Sequence, residues 1–334
     1  MFTWYRNAAV CYAYLSDICP RVYQWESPLL FTSSQWFTRG WTLQELVTPS
    51  TVVFYNSRWK PIGTKAELCD EIQERTGISY TVLLCGEPRI GDCGSCSGGQ
   101  IGFIRIGEGV TRCVHDTIQG SSLSHVLQCC SVAQKMSWTS RRNTTRVEDA
   151  AYCLLGIFGV NMPLLYGEGM RAFLRLQEEI IKTTDDQSIL AFAWSGLEWP
   201  FEGQDSLLAE TSHYFADKGN ISPVAWAGKF SMTPSSKSIN IEMTLCPLQV
   251  VWGPRTEVTR VMEENTLWLG ILSCADATVH HDPQHPAIVL QEVDRDKSVF
   301  RHLTADLTSD NQGPDHSLAL MYRGPTFSMQ PKYE

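Results

Sequence analysis

The sequence contains no run of about 18 apolar residues, the length a membrane-spanning helix requires, and no block of like charge. A membrane partner is therefore not expected. Basic residues are also in the minority, with 27 Lys and Arg against 36 Asp and Glu for a net charge of −9, and this disfavours generic nucleic-acid binding, which needs a basic surplus to meet phosphate. No internal repeat of fixed period appears, so a repeat architecture is not expected. Met1 to Arg6 lack the long apolar core and small residues of a secretory leader, and a cytoplasmic protein is the expectation. Twelve cysteines are present, but Cys93, Cys96, Cys113, Cys129 and Cys130 crowd one segment and the others stand singly in apolar surroundings, as buried thiols do. No disulfide framework is read from them. What the sequence does have is 43% apolar residues and 10% aromatics over 334 positions, enough for one large or two medium domains with a real core.

Trp4, Ala8 and Tyr12 are spaced for a short helix, while Cys11 to Leu15 reads equally as a buried strand ending at Ser16-Asp17. The stretch Trp36 to Val47 predicts a helix closed by Pro49, and the β-branched and aromatic run Thr51 to Tyr55 predicts a strand. Strand, helix and strand in that order imply an α/β layer. Lys65 to Thr76 predicts a charged amphipathic helix with Leu68 and Ile72 on one face and Gly77 as its stop. Residues 85–130 are rich in Gly, Ser and Cys, suggest no helix or strand of length, and are expected to form a poorly ordered insertion. Order resumes at Ser131. Thr145 and Glu148 have the spacing of a capping box, opening a helix with Val147, Ala151, Leu154, Leu155 and Phe158 on one stripe and an end near Gly159. After Tyr166-Gly167-Glu168-Gly169, a second helix should turn Met170, Phe173, Leu174, Gln177 and Ile181 inward, so that the two pack as a hairpin. Beyond Asp185 the alternation at Ile239 to Leu245 and the runs Leu267 to Leu272 and Ile288 to Val293 predict a β-rich region.

The densest chemistry lies between Ser34 and Leu46, where Trp36, Arg39, Trp41 and Glu45 fall within one short window. Trp41 and Glu45 are i, i+4 on one helix face. A carboxylate held against an indole is partly desolvated, which suits it to proton transfer or to stabilising a developing positive charge. The structural alternative is that Glu45 pairs with Arg39 or with a backbone amide and simply fixes the fold.

The string Trp36-Phe-Thr-Arg39-Gly-Trp41-Thr-Leu-Gln44-Glu45-Leu46, followed by Pro49, resembles the central motif of heterokaryon-incompatibility (HET) domains of filamentous fungi. Ser137-Trp138, Arg141-Arg142, Thr144 to Asp149, Tyr152 to Phe158 and Asn161 to Glu168 resemble the helical region that follows it. The resemblance implies a partial HET domain over 1–84, the insertion over 85–130, a helical HET-associated region over 131–194 and a β-rich C-terminal region over 195–334. HET domains in turn resemble TIR domains, which implies an α/β fold with a partial TIR-like parallel sheet. It further places Ser16 after a strand and Glu45 on the following helix, with one residue more between Trp41 and Glu45 than in the TIR pattern. By that resemblance Glu45 would be the catalytic carboxylate of NAD cleavage through an oxocarbenium-like state, with Trp41, Arg39, Trp36 and Ser16 shaping the substrate pocket, NAD as substrate, and no cofactor or metal. Family members usually carry an upstream half with the first strands of the sheet. This chain begins after it, so the expectation is an N-terminally truncated form that has lost much of its nucleotide pocket and is inactive as an enzyme.

The implied function is fungal self/non-self recognition that promotes or regulates cell death, by NAD cleavage or by protein interaction alone, with other incompatibility proteins or a second copy of the chain as partner. A glycosidase using Asp17 and Glu45 as paired carboxylates is a third class, supported by residue type alone. Cys93, Cys96, Cys113 and His115 supply zinc-ligand types without a recognisable finger spacing, and no metal is assigned. Tyr166-Gly167-Glu168-Gly169 lacks the Lys-Ser of a phosphate loop and reads as a helix connection. His280, His281 and His285 lie near Pro283 and Pro286 in a polar stretch and read as a solvated loop.

Overall fold

The computed structural model describes residues 1–19, 31–85, 103–106, 110–113, 122–193, 208–223, 231–234, 239–247, 250–252, 260–261, 267–276, 285–294, 299–302 and 319–320. The chain divides into two compact units, Met1–Thr184 with Glu210–Ser222, and Asp185–Ala209 with Pro223–Glu334.

The first unit opens with helix α1 (Phe2–Arg6) and strand β1 (Cys11–Leu15). Of the two readings open for Cys11 to Leu15, the strand is the one adopted. β1 pairs in parallel with β2 (Val52–Asn56), in register from Cys11 opposite Val52 to Leu15 opposite Asn56. Parallel neighbours require a crossover, and its described part contains a 3₁₀ turn at Gln35–Thr38 and helix α2 (Thr42–Val47). A third strand, β3 (Pro61–Thr64), adds to β2 in the antiparallel sense. Alternation along the strands buries Ala13, Leu15, Val52 and Phe54 and turns Tyr12 and Tyr14 outward. Phe31, Trp36 and Phe37 close over Phe54, with Phe31–Phe54 and Trp36–Phe54 centroids 5.0 and 5.5 Å apart and rings nearly perpendicular. Each fully buried side chain of this kind contributes roughly 1.5–3 kcal/mol, so this cluster anchors the layer.

The single helix predicted from Trp36 to Val47 is interrupted. Between the 3₁₀ turn and α2 the chain pairs with a distant segment: Asn143 N–H donates to Thr38 O at 2.6 Å and Gly40 N–H donates to Asn143 O at 2.9 Å. Gly40 is required there, because a Cβ would stand 2.4 Å from Thr144 Cγ2. A backbone committed to that bridge cannot also run as a continuous helix.

Helix α3 (Cys69–Thr76) is shorter than the predicted span from Lys65. Lys65 N–H donates to Val52 O at 2.8 Å, which ties that residue to the sheet, and the buried ammonium donates to Pro49 O. The predicted stop holds, with Gly77 at φ +70°. Short helix α4 (Tyr80–Leu83) follows. In the segment expected to lack regular structure, Phe103–Ile106 and Val110–Cys113 form an antiparallel hairpin (β4, β5), and α5 (Leu123–Cys129) buries Val126 and Leu127. The Gly/Ser/Cys stretch with Cys93, Cys96 and His115 lies outside the described residues.

Helix α6 (Val132–Ser140) carries a capping box, but its members are Ser131 and Gln134. The box expected at Thr145 and Glu148 is not formed: Glu148 precedes α7 (Asp149–Tyr152) without a side-chain cap, and its carboxylate is taken by the amides of Gly167 and Gly169 at 2.7 and 3.1 Å. The expected helix is split into α7 and α8 (Leu155–Phe158), which ends on Gly159 at φ +69°, and Val147 is exposed instead of inward. α9 (Arg171–Ile181) packs on α7 and buries Phe173, Gln177 and Ile181 as expected, with Met170 exposed.

In the second unit Thr244–Pro247, Leu267–Ile271, Ala287–Asp294 and Val299–His302 form an antiparallel sheet. Met232–Pro234 and Ile239–Ile241 form a separate hairpin, so the alternating run from Ile239 serves two sheets. Gln187 braces this unit by donating to Glu242 O at 2.7 Å and accepting from Ser273 N–H at 3.0 Å. Among the described residues no helix is long and apolar enough to cross a membrane.

Candidate functional site

Glu45 lies in the first turn of α2, half-buried, and accepts a hydrogen bond from the Tyr5 hydroxyl at 3.1 Å. Neither partner proposed for it from sequence, Arg39 or a backbone amide, is the one observed. Burial first, and the Glu45 charge second, push the Tyr5 phenol up to about 12; the same two causes push the Cys11 thiol up to about 11, with Lys65 opposing. Glu45 is therefore set beside α1 and the first residue of β1.

The remaining candidates are distributed around this point. Trp41, the residue preceding α2, is half-buried. Trp36 is a core residue, its ring edge-on to Phe37 and Phe54. The Arg39 side chain is exposed, and its carbonyl accepts from Thr42 Oγ1 at 2.7 Å and Arg142 Nη1 at 3.0 Å. Ser16 is exposed just beyond the last residue of β1, at the opposite end of that strand from Cys11 and thus removed from the Glu45 cluster by roughly 15 Å of extended chain. Asp17 accepts from Ser34 Oγ at 2.8 Å and Gln35 N–H at 2.7 Å, which fixes the 3₁₀ turn. The structure thus groups Glu45 with Tyr5 and Cys11, and leaves Ser16 and Asp17 elsewhere.

Arg142 is the functional-looking residue to which the sequence reading gave no role. It is buried, donates from Nε to Trp138 O at 3.1 Å and from Nη1 to Arg39 O and to Thr42 Oγ1 at 2.9 Å, and so ties the end of α6 to the start of α2. Burial lowers its guanidinium to about 10, with Arg75 adding to the effect and the negative charge of Glu45 opposing it. The group stays cationic at neutral pH. Burial likewise holds the Cys153 thiol up at about 12, so it is an inert neighbour.

A second polar cluster surrounds the Tyr166 to Gly169 turn. The Gly167 and Gly169 amides, which a phosphate loop would offer to a ligand, are occupied by Glu148, and its own backbone amide first, with those two after it, holds its carboxyl below the usual range. Tyr152 donates to Glu168 at 3.0 Å, and Arg175 bridges Glu168 to Pro163 O. This is a structural lock for the helix connection. His285 Nδ1 lies 2.9 Å from Cys274 O, while His280 and His281 lie outside the described residues. Among the described residues no group of three His, Cys, Asp or Glu side chains is placed to hold a metal.

In sequence the chain is related to a fungal vegetative incompatibility protein, with 37% identity over 191 residues. That relative is vegetative incompatibility protein HET-E-1 of Podospora anserina; the alignment covers 54% of this chain and 11% of the relative, so the chain corresponds to about a tenth of that protein's length. No family model matches the chain, and no solved structure matches it.

Proposed function

We propose that the chain acts in fungal vegetative incompatibility, promoting or regulating cell death, and that it does so by binding another incompatibility protein or a second copy of itself. The relationship to HET-E-1 supports the process. The exposed aromatic face of β1 and β2 carries the mode of action. Tyr14 stacks on Trp59 with centroids 4.5 Å apart, Tyr55 lies 5.9 Å from Trp59, and Tyr12 meets Tyr55 edge-on at 5.7 Å. Tyr12 and Trp59 remain 61% and 62% exposed, which is unusual for a contiguous aromatic group outside an interface. Trp59 also sits at φ +57°, a costly conformation for a bulky residue. The Asn56 side chain maintains it by accepting from the Arg58 and Lys60 amides at 2.9 and 3.1 Å. Among the described residues β1 is the edge strand of its sheet, so the same face adjoins a row of backbone groups that none of them pairs.

The test is induced expression in a filamentous fungus of the chain and of its Tyr12→Ser/Tyr14→Ser/Trp59→Ser variant, scored by dye uptake of dying cells. Death with the parent and survival with a variant that still folds is the expected pair. Equal killing by both would remove the aromatic face from the account.

A second reading, NAD cleavage with Glu45 as catalytic carboxylate and Trp41 and Arg39 beside it, is favoured by one observation: Glu45 is a half-buried carboxylate held by a phenol. Against it stand the core position of Trp36 and the separation of Ser16.

A further inference from the structure

A cavity of about 240 Å³ opens in the first unit beside the last turn of α3, the end of α6 and residues 216–220. That is more than tenfold the minimum of about 10–15 Å³ that a single water requires, so it accommodates a small solute. None of Glu45, Trp41, Arg39, Trp36 or Ser16 is among its lining residues.

Its lining residues include three arginines, Arg75, Arg141 and Arg142. The acidic residues lining it are Glu74 and Asp217, both exposed, and Asp217 already accepts from Lys218 Nζ at 2.8 Å. Arg142 is 7% exposed. Three of its donor contacts are used on Trp138, Arg39 and Thr42, and its Nη2 is buried with no hydrogen-bond partner. Arg75 repeats the pattern, with a buried Nε that has no partner. Native interiors rarely leave charged donors unsatisfied; both atoms are closed to solvent-sized contact where they stand, so an acceptor in the cavity their residues line meets them only after a small side-chain rotation.

That acceptor must be anionic, because three guanidiniums against two peripheral carboxylates leave the cavity positive. It must also offer several oxygens in different directions. A carboxylate has two oxygens in one plane; a phosphoryl group presents three around a tetrahedron and matches the forked donors of arginine. The volume exceeds what one phosphoryl group fills. We propose that this cavity is a binding site for a phosphate-bearing small molecule of pyrophosphate size, gripped by Arg142 and Arg75 in the interior and by Arg141 nearer solvent. The Arg142 guanidinium also holds the Arg39 carbonyl and the Thr42 hydroxyl, so occupancy bears on the junction from which α2 starts. The proposal is independent of any role of Glu45.

The experiment is calorimetric titration of the full chain with sodium pyrophosphate at low ionic strength, alongside inorganic phosphate and citrate, and repeated on two charge-matched variants. Arg75→Met removes a cavity donor without touching the bonds of Arg142 to α2. Arg146→Met removes an arginine that lies over the Tyr166 ring, away from the cavity lining. The expected result is saturable pyrophosphate binding, weaker phosphate and citrate binding, a loss of about tenfold or more in affinity for Arg75→Met, and no change for Arg146→Met. Absence of saturable binding by the folded chain, citrate binding as tight as pyrophosphate, or equal weakening by both variants would overturn the proposal.

Discussion

Replacing Arg142 by Met tests the junction between α2 and α6 most severely. The guanidinium donates to Trp138 O, Arg39 O and Thr42 Oγ1 at 3.1, 3.0 and 2.9 Å; Met retains most of the volume and donates nothing. Each lost bond to a charged donor costs about 1.5–3 kcal/mol when its acceptor stays buried. Two effects reduce the sum. Arg39 O keeps a share of the Thr42 hydroxyl proton, which lies 2.7 Å from it and 2.6 Å from Trp36 O, and a cation whose burial already lowers it to about 10 no longer has to be desolvated. The net destabilisation of the first unit is therefore expected at about 2–4 kcal/mol. Urea unfolding followed by tryptophan fluorescence reports it, with the two units fitted as separate transitions. Arg142→Lys should fall between the two, since one ammonium cannot reach all three acceptors. A loss below about 0.5 kcal/mol for the Met variant would refute the view that this residue joins the two segments.

Gly40→Ala should destabilise by about 1–3 kcal/mol, because the new methyl meets Thr144 Cγ2 at 2.4 Å; Thr144→Ser removes that methyl, keeps the hydroxyl and should restore most of the loss in denaturant melts. The folded-state pKa of Glu148 is depressed by its own backbone amide first and by the Gly167 and Gly169 amides after it, so its contribution is present above the ordinary glutamate value and is lost as pH falls through the lowered one. Glu148→Gln should accordingly flatten the acid limb of a stability-versus-pH curve. Burial and the Glu45 charge hold the Cys11 thiol protonated, while Cys19 is exposed. Mass-spectrometric mapping of iodoacetamide alkylation at neutral pH should find Cys19 modified well before Cys11, and Glu45→Gln should speed Cys11.

Local chemistry made part of this legible from sequence. Gly77 and Gly159 stop their helices at positive φ because a glycine after a periodic run means the same thing in most contexts. The strand at Val52–Asn56 follows from a β-branched and aromatic run, whereas around Cys11–Leu15 the spacing left helix and strand both open. β3 did not announce itself, since Pro61-Ile62-Gly63-Thr64 has neither alternation nor a strong strand former at each position. The break at Gly40 and the burial of Arg142 depend on residues about a hundred positions apart, and no window of periodicity senses a partner at that distance. Glu45 could be picked out because two tryptophans and an arginine precede it within one short window. Tyr5, which holds it, belongs to a segment whose spacing suggested only a short helix.

The measurement that bears most directly on the account is cellular NAD in yeast expressing this chain or its Glu45→Ala variant, read together with growth. Action through binding requires equal growth of the two strains with NAD at the level of the empty-vector control. A fall in NAD with the parent chain that Glu45→Ala restores, together with restored growth, would contradict it and make the carboxylate a catalytic residue.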